Sequence, residues 1–205
     1  MYHGERFNSI SHLVGAGLAV LGSALLIVPA VRLGDPWKIV SFSIYGAMLV
    51  ALYVSSTLYH SARGRAKEIW MKFDHCSIYL LIAGSYTPFA LVSLRGVWGW
   101  SLLGTVWTLA LVGIVQEIWF AKGARVLSLV IYLLMGWLAM VAVAPLWQAL
   151  TPYGFAWLAA GGILYTVGII FYVADDRIRH GHGVWHLFVL GGSSCHFFTV
   201  LLFVA

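Results

Sequence analysis

Three histidines and one carboxylate have the right chemistry and spacing to hold a metal ion. They are His60 in SSTLYHS (55–61), Asp74, and the pair His182 and His186 in HGHGVWH (180–186). Side chains four residues apart share a helix face, so His182 and His186 can ligate one ion together and Ser56 can support His60 from the turn above. Three neutral imidazoles plus a water form a catalytic zinc shell with an open fourth position. Zinc lowers the pKa of such a water to about 7. Asp74 is then placed to hold or deprotonate that water, or to accept a histidine N–H.

Each residue alone has a plainer reading. A histidine at the end of a helix interacts with the helix dipole. Asp74 follows Lys72 and a bend, as a helix N-cap would. His182 and His186 flank Trp185, as residues of an interfacial belt do. Depth separates these readings, because a site needs all four groups on one level. That depends on the elements that carry them.

The chain has 205 residues, of which 61% are hydrophobic and 9% charged. Soluble domains carry about 25% charged residues, so the composition is that of an integral membrane protein. Ten Trp and ten Tyr suit a chain with many water–lipid interfaces to anchor. The polar start MYHGERFN leads into an apolar stretch too long for a signal sequence, and no cleaved peptide is expected. Cys76 and Cys195 sit in separate apolar segments and indicate no disulfide framework.

A spanning helix needs roughly 20 mostly apolar residues. Seven segments qualify, at about 9–32, 38–61, 73–94, 98–119, 127–147, 154–174 and 181–205. The expected fold is therefore all-α: a single membrane domain over 1–205 built as a seven-helix bundle. With the N-terminus cytoplasmic, the inside holds Arg6, Arg63, Arg65, Lys67, Lys72, Lys122, Arg125, Arg177 and Arg179, and the outside only Arg32, Lys38 and Arg95. The positive-inside rule thus puts the N-terminus in and the C-terminus out. The net charge of +5 is confined to loops, so it reports topology and no nucleic-acid partner is expected.

This orientation brings the four residues to one level. His60 ends span two, Asp74 opens span three, and His182 and His186 open span seven, all at the cytoplasmic side. Ionisable groups inside spans are costly and usually functional, and four independent accidents at one depth are a poorer account than a site. His196 lies about 15 Å deeper than His186 at 1.5 Å per residue, and Ser85 stands in a similar relation to Asp74. His196 reads equally as part of a polar line into the bundle or as an interhelical hydrogen-bonding residue; for Ser85 the hydrogen bond is favoured. His75 lies about 100° around the helix from Asp74 and is left out of the shell. His3, His12 and His180 read as surface or interfacial.

The pattern Ser56-x3-His60, Asp74 and His182-x3-His186 resembles that of the progestin and adipoQ receptor family. ERFNSISHLVGAGLAV (5–20), GSYTPFAL (84–91) and WHLFVLGGSSCHFF (185–198) are similar to its bacterial branch, the haemolysin III proteins. The resemblance covers essentially the whole chain. It implies seven helices, a cytoplasmic N-terminus and a multi-pass location in the bacterial cell (inner or plasma) membrane. It also implies a Zn2+ ion on His60, His182 and His186, with Asp74 reaching it through water and Ser56 nearby. The wider superfamily includes alkaline ceramidases, so lipid hydrolysis and a membrane lipid or fatty acid as partner are implied too. The receptors' long N-terminal domain has no counterpart here, and hormone binding is not expected.

Three functions compete at this stage. The first is a zinc-dependent hydrolase of a lipid amide or ester bond, serving membrane lipid homeostasis, with Asp74 taking the proton of the attacking water. The second is a non-enzymatic membrane sensor with a structural zinc, which requires a closed shell of four protein ligands. The third is a cytolytic pore. It ranks last, because ion pathways place charges near the midplane, where the sequence offers only His196 and Ser85, with Glu117 nearer one end.

Overall fold

In lipid every backbone N–H and C=O must be satisfied within the protein, and helices achieve this segment by segment. The computed structural model describes residues 4–121 and 125–205. His3 and Lys122, to which the sequence reading assigned a surface position and a cytoplasmic charge, lie outside the described residues. Among the described residues are seven helical segments long and apolar enough to cross a membrane. No strand occurs among them.

The helices are α1 (Arg6–Leu33), α2 (Pro36–Ser61), α3 (Gly64–Pro88), α4 (Val97–Trp119), α5 (Val126–Trp137), α6 (Val143–Ala149), α7 (Pro152–Val173) and α8 (Gly181–Phe203). Their ends follow from local chemistry. Gly34 closes α1 in the left-handed conformation (φ +66°), its N–H returning to the carbonyls of Ala30 and Val31, a position that costs glycine nothing. Asp35 then caps α2, accepting from the N–H groups of Trp37 (2.9 Å) and Lys38 (3.2 Å), with Pro36 at the first helical position, where its missing donor does no harm. Two residues thus reverse the chain.

The fifth span is broken where one unbroken helix was expected. A 3-10 stretch over Leu138–Ala142 joins α5 to α6. Pro145 explains it, since proline has no N–H to donate and its ring crowds the carbonyl four residues back, at Val141. A second correction concerns Asp74. Helix α3 begins at Gly64, so Asp74 lies well inside it and does not open it. The capping role is thereby ruled out, because a residue in mid-helix has no free N–H groups of its own turn to accept from.

Helix α1 packs on α2 and α8, α2 on α3, α3 on α4, and α7 on α8. Large apolar side chains such as Val14, Leu18, Leu21, Leu111, Leu134 and Ile170 point outward, as expected of surfaces that face acyl chains. The inward faces carry the polar residues. Ser9, Ser41, Ser56, Asp74, Glu117, His186 and Thr199 are all buried.

Candidate metal centre

His60 lies in the last turn of α2, and His182 and His186 in the first two turns of α8. One ligand nitrogen from each falls within 4.8 Å of the other two. Their ring centroids form a near-equilateral triangle, with His60–His182 at 5.1 Å, His60–His186 at 4.9 Å and His182–His186 at 4.9 Å. His186 is fully buried and His60 is 2% exposed.

The rings of His60 and His186 are hydrogen-bonded at Nδ1, and all three rings are bare at Nε2. His60 Nδ1 is 2.6 Å from Glu5 Oε2. His186 Nδ1 is 3.1 Å from the carbonyl of Asn8 and 3.3 Å from Ser11 Oγ. His182 Nδ1 is 3.5 Å from Asp175 Oδ2, and Asp175 Oδ1 also accepts the backbone N–H of His182 at 2.7 Å. Carboxylates and carbonyls only accept, so the protons of His60 and His186 belong on Nδ1. Their lone pairs are left on Nε2. All three Nε2 atoms are buried and without a hydrogen-bond partner. Three buried nitrogens without partners, each costly to bury, on three histidines that each offer a nitrogen within 4.8 Å of the others, fit a metal ion. An imidazole donor set suits zinc, copper, iron or nickel.

Asp74 is 4% exposed and stands outside the ligand cluster. It lines a cavity of about 330 Å³ that continues past Ser85 and His196 to Leu146 and Phe155 near the far end of the bundle. Its walls are mostly apolar. Ser56 is buried beside this region, with its hydroxyl turned to Asp74 and not to His60. The support for His60 comes from Glu5. Hydrogen bonds to Glu5, the largest effect from His60 and further ones from Lys67 at 2.6 Å and Asn8 at 3.0 Å, hold this carboxyl well below the usual carboxylate range against the opposing effect of burial.

His12 departs most from the sequence reading. It is no surface residue: it is 2% exposed, stacks flat on His186 with centroids 3.6 Å apart, and meets the edge of Tyr53 at 5.1 Å. Glu5, Asn8, Ser11 and His12 were all missed as members of the site. Residues 8, 11 and 12 share one helix face, with residue 5 just ahead of it. That recurrence of polar groups at the start of an apolar span was the available signal. His180 is exposed, as expected.

A second polar cluster flanks the cavity. The carboxylate of Glu117 has no exposed side-chain surface. The Arg125 guanidinium donates to it and to His75 Nδ1, and Ser128 Oγ lies 2.9 Å from its other oxygen. Removing one member of a buried ion pair strands the other. Arg125→Ala is therefore expected to lower stability by about 3 kcal/mol, read as a fall in thermal midpoint in detergent. The double variant with Glu117→Leu should recover most of the loss. A midpoint unchanged in Arg125→Ala would show that the pair is not sealed from water.

The fold and this centre together define a class: a multi-pass helical membrane protein with a buried three-histidine cluster able to hold a metal. Within that class the assignment is specific. A family model described as "Haemolysin-III related" matches residues 1–197, and the chain belongs to that family. It is 46% identical to Hemolysin-3 of Bacillus cereus over 201 residues, covering 98% of this chain and 91% of that protein. Identity to the Hemolysin-3 homolog of Bacillus subtilis (strain 168) is 48% over 200 residues, 97% and 93% of the two chains. More distantly, it is 30% identical to the human monocyte to macrophage differentiation factor over 190 residues, 89% of this chain and 76% of the other. That places it alongside relatives of the progestin and adipoQ receptor type.

Proposed function

We propose that this protein is a zinc-dependent hydrolase of a lipid amide or ester bond, working at the cytoplasmic face of a bacterial cell membrane in lipid homeostasis. The observation that carries this reading is the cluster of three histidines, each with a buried, unpartnered Nε2, reached through His12, which stacks on His186 and with Asp74 lines an apolar cavity. The cavity's volume of about 330 Å³ falls in the range of roughly 300–1,000 Å³ typical of small-molecule sites. A zinc ion on His60, His182 and His186 would supply a Lewis acid and an activated water at neutral pH.

The chain's own residues do the rest. The apolar walls take up an acyl chain and exclude water. Asp74 accepts a proton from the attacking water and returns it to the leaving amine or alkoxide, the task of a general acid–base group. The cytoplasmic orientation is supported by the basic residues at the metal end, including Arg63, Arg65, Lys67 and Lys72.

The test is release of fatty acid from bilayer amide and ester lipids by purified protein loaded with zinc, compared with the same protein after chelation. Release that depends on the metal supports the hydrolase. A loaded protein that releases nothing from either lipid class would leave a metal-bearing membrane sensor as the better reading.

A further inference from the structure

Three imidazole nitrogens meet at a point only if each ring is held in one tautomer and one orientation. Helix α8 carries two of the rings and α2 the third, yet the groups that fix His60 and His186 both come from the start of α1. Glu5 just precedes the first turn of α1, and its carboxylate is itself immobilised. Oε2 accepts from His60 Nδ1 at 2.6 Å and from Asn8 Nδ2 at 3.0 Å, while Oε1 accepts from Lys67 Nζ at 2.6 Å. With partners on both oxygens the group cannot swing away from His60. The bond to His60 joins positions 55 residues apart, so local chain geometry did not create it.

We propose that Glu5 is a positioning residue of the metal centre, fixing His60 with its lone pair on Nε2 and aimed at the point where His182 and His186 converge. This rests on the metal reading above. A carboxylate that accepts the distal N–H of a ligand histidine orients the ring and raises its basicity. Asn8 serves the same end for His186 through its backbone carbonyl, so the first two turns of α1 form an outer shell around two of the three ligands. The sequence E5-x2-N8-x2-S11 is thus part of the centre, although none of its side chains reaches the point of convergence.

The experiment is zinc affinity of the full chain in detergent, measured by competition with a fluorescent chelator, together with the absorption spectrum of the Co2+-loaded protein. Glu5→Ala should weaken zinc binding by about 10–100-fold and shift the Co2+ bands, because His60 is free to turn. Glu5→Gln keeps an acceptor and should recover part of the affinity. It also carries the comparison if the alanine variant does not fold. Lys67→Met removes one partner of Glu5 while leaving its bonds to His60 and Asn8, and should cost clearly less zinc affinity than Glu5→Ala. Wild-type affinity in Glu5→Ala, or an equal loss in Lys67→Met, would overturn the proposal and reduce Glu5 to an anchor for the N-terminal segment. A wild-type protein that takes up no zinc would overturn the metal reading itself and this inference with it.

Discussion

His186→Ala is expected to abolish stoichiometric metal binding. Purified wild-type protein should carry about one zinc per chain, and the variant essentially none, by mass spectrometry of the metal content; structural zinc sites bind with apparent free energies of about 10–16 kcal/mol shared among few ligands. His186 is the most enclosed member of the cluster, with no exposed surface and its Nδ1 tied to Asn8. Its loss leaves two imidazoles, whereas catalytic zinc sites are generally built on three protein ligands. Loss of an outer-shell partner already costs 10–100-fold in affinity, and loss of a ligand should exceed that. A second readout follows by linkage. Zinc at 100 times its Kd stabilises the folded state by about 2.7 kcal/mol, so added zinc should raise the thermal midpoint of wild type and leave that of His186→Ala unmoved. Equal metal content in the two proteins would show that the cluster is not the site. Metal-free wild type would leave the three nitrogens as a polar packing device.

Asp74→Asn separates chemistry from metal binding. Asparagine has nearly the same shape, so it keeps the packing of this 4% exposed position but cannot take a proton. Asp74 lies on the cavity wall and outside the three-histidine cluster. The variant should therefore retain its zinc and its fold while metal-dependent lipid hydrolysis falls by at least about 100-fold, the lower end of a general acid–base contribution. Turnover at the wild-type rate would remove Asp74 from the mechanism. Loss of metal along with activity would make Asp74 a ligand of a closed shell, and the structural-zinc sensor would become the better account.

Much of this protein is legible without coordinates because the membrane imposes simple rules. A span must be apolar over about 20 residues, and seven such runs in the sequence correspond to seven spanning helical segments among the described residues. His182 and His186 are four apart, so their shared face is a property of any helix. His60 could be set at their level by counting residues from the end of its span.

The boundaries of α3 were less legible. The charged run GRAKEIWMK reads as a loop by composition, yet it is helical from Gly64 onward, because charged residues are good helix formers wherever water is within reach. The break in the fifth span was legible in principle, from Pro145 alone.

By itself the sequence determined the class of protein, its seven apolar spans and the three histidines at one level, since hydropathy and helical period act over a few turns of chain. Only the tertiary structure decided what surrounds those histidines. Glu5 reaches His60 across 55 positions and Asn8 reaches His186 across 178, and His12 lies flat against His186 instead of facing the membrane surface. A polar residue in a helix presents the same local pattern whether it meets lipid, water or another side chain. Which of these it meets is settled by the packing of α1 against α2 and α8.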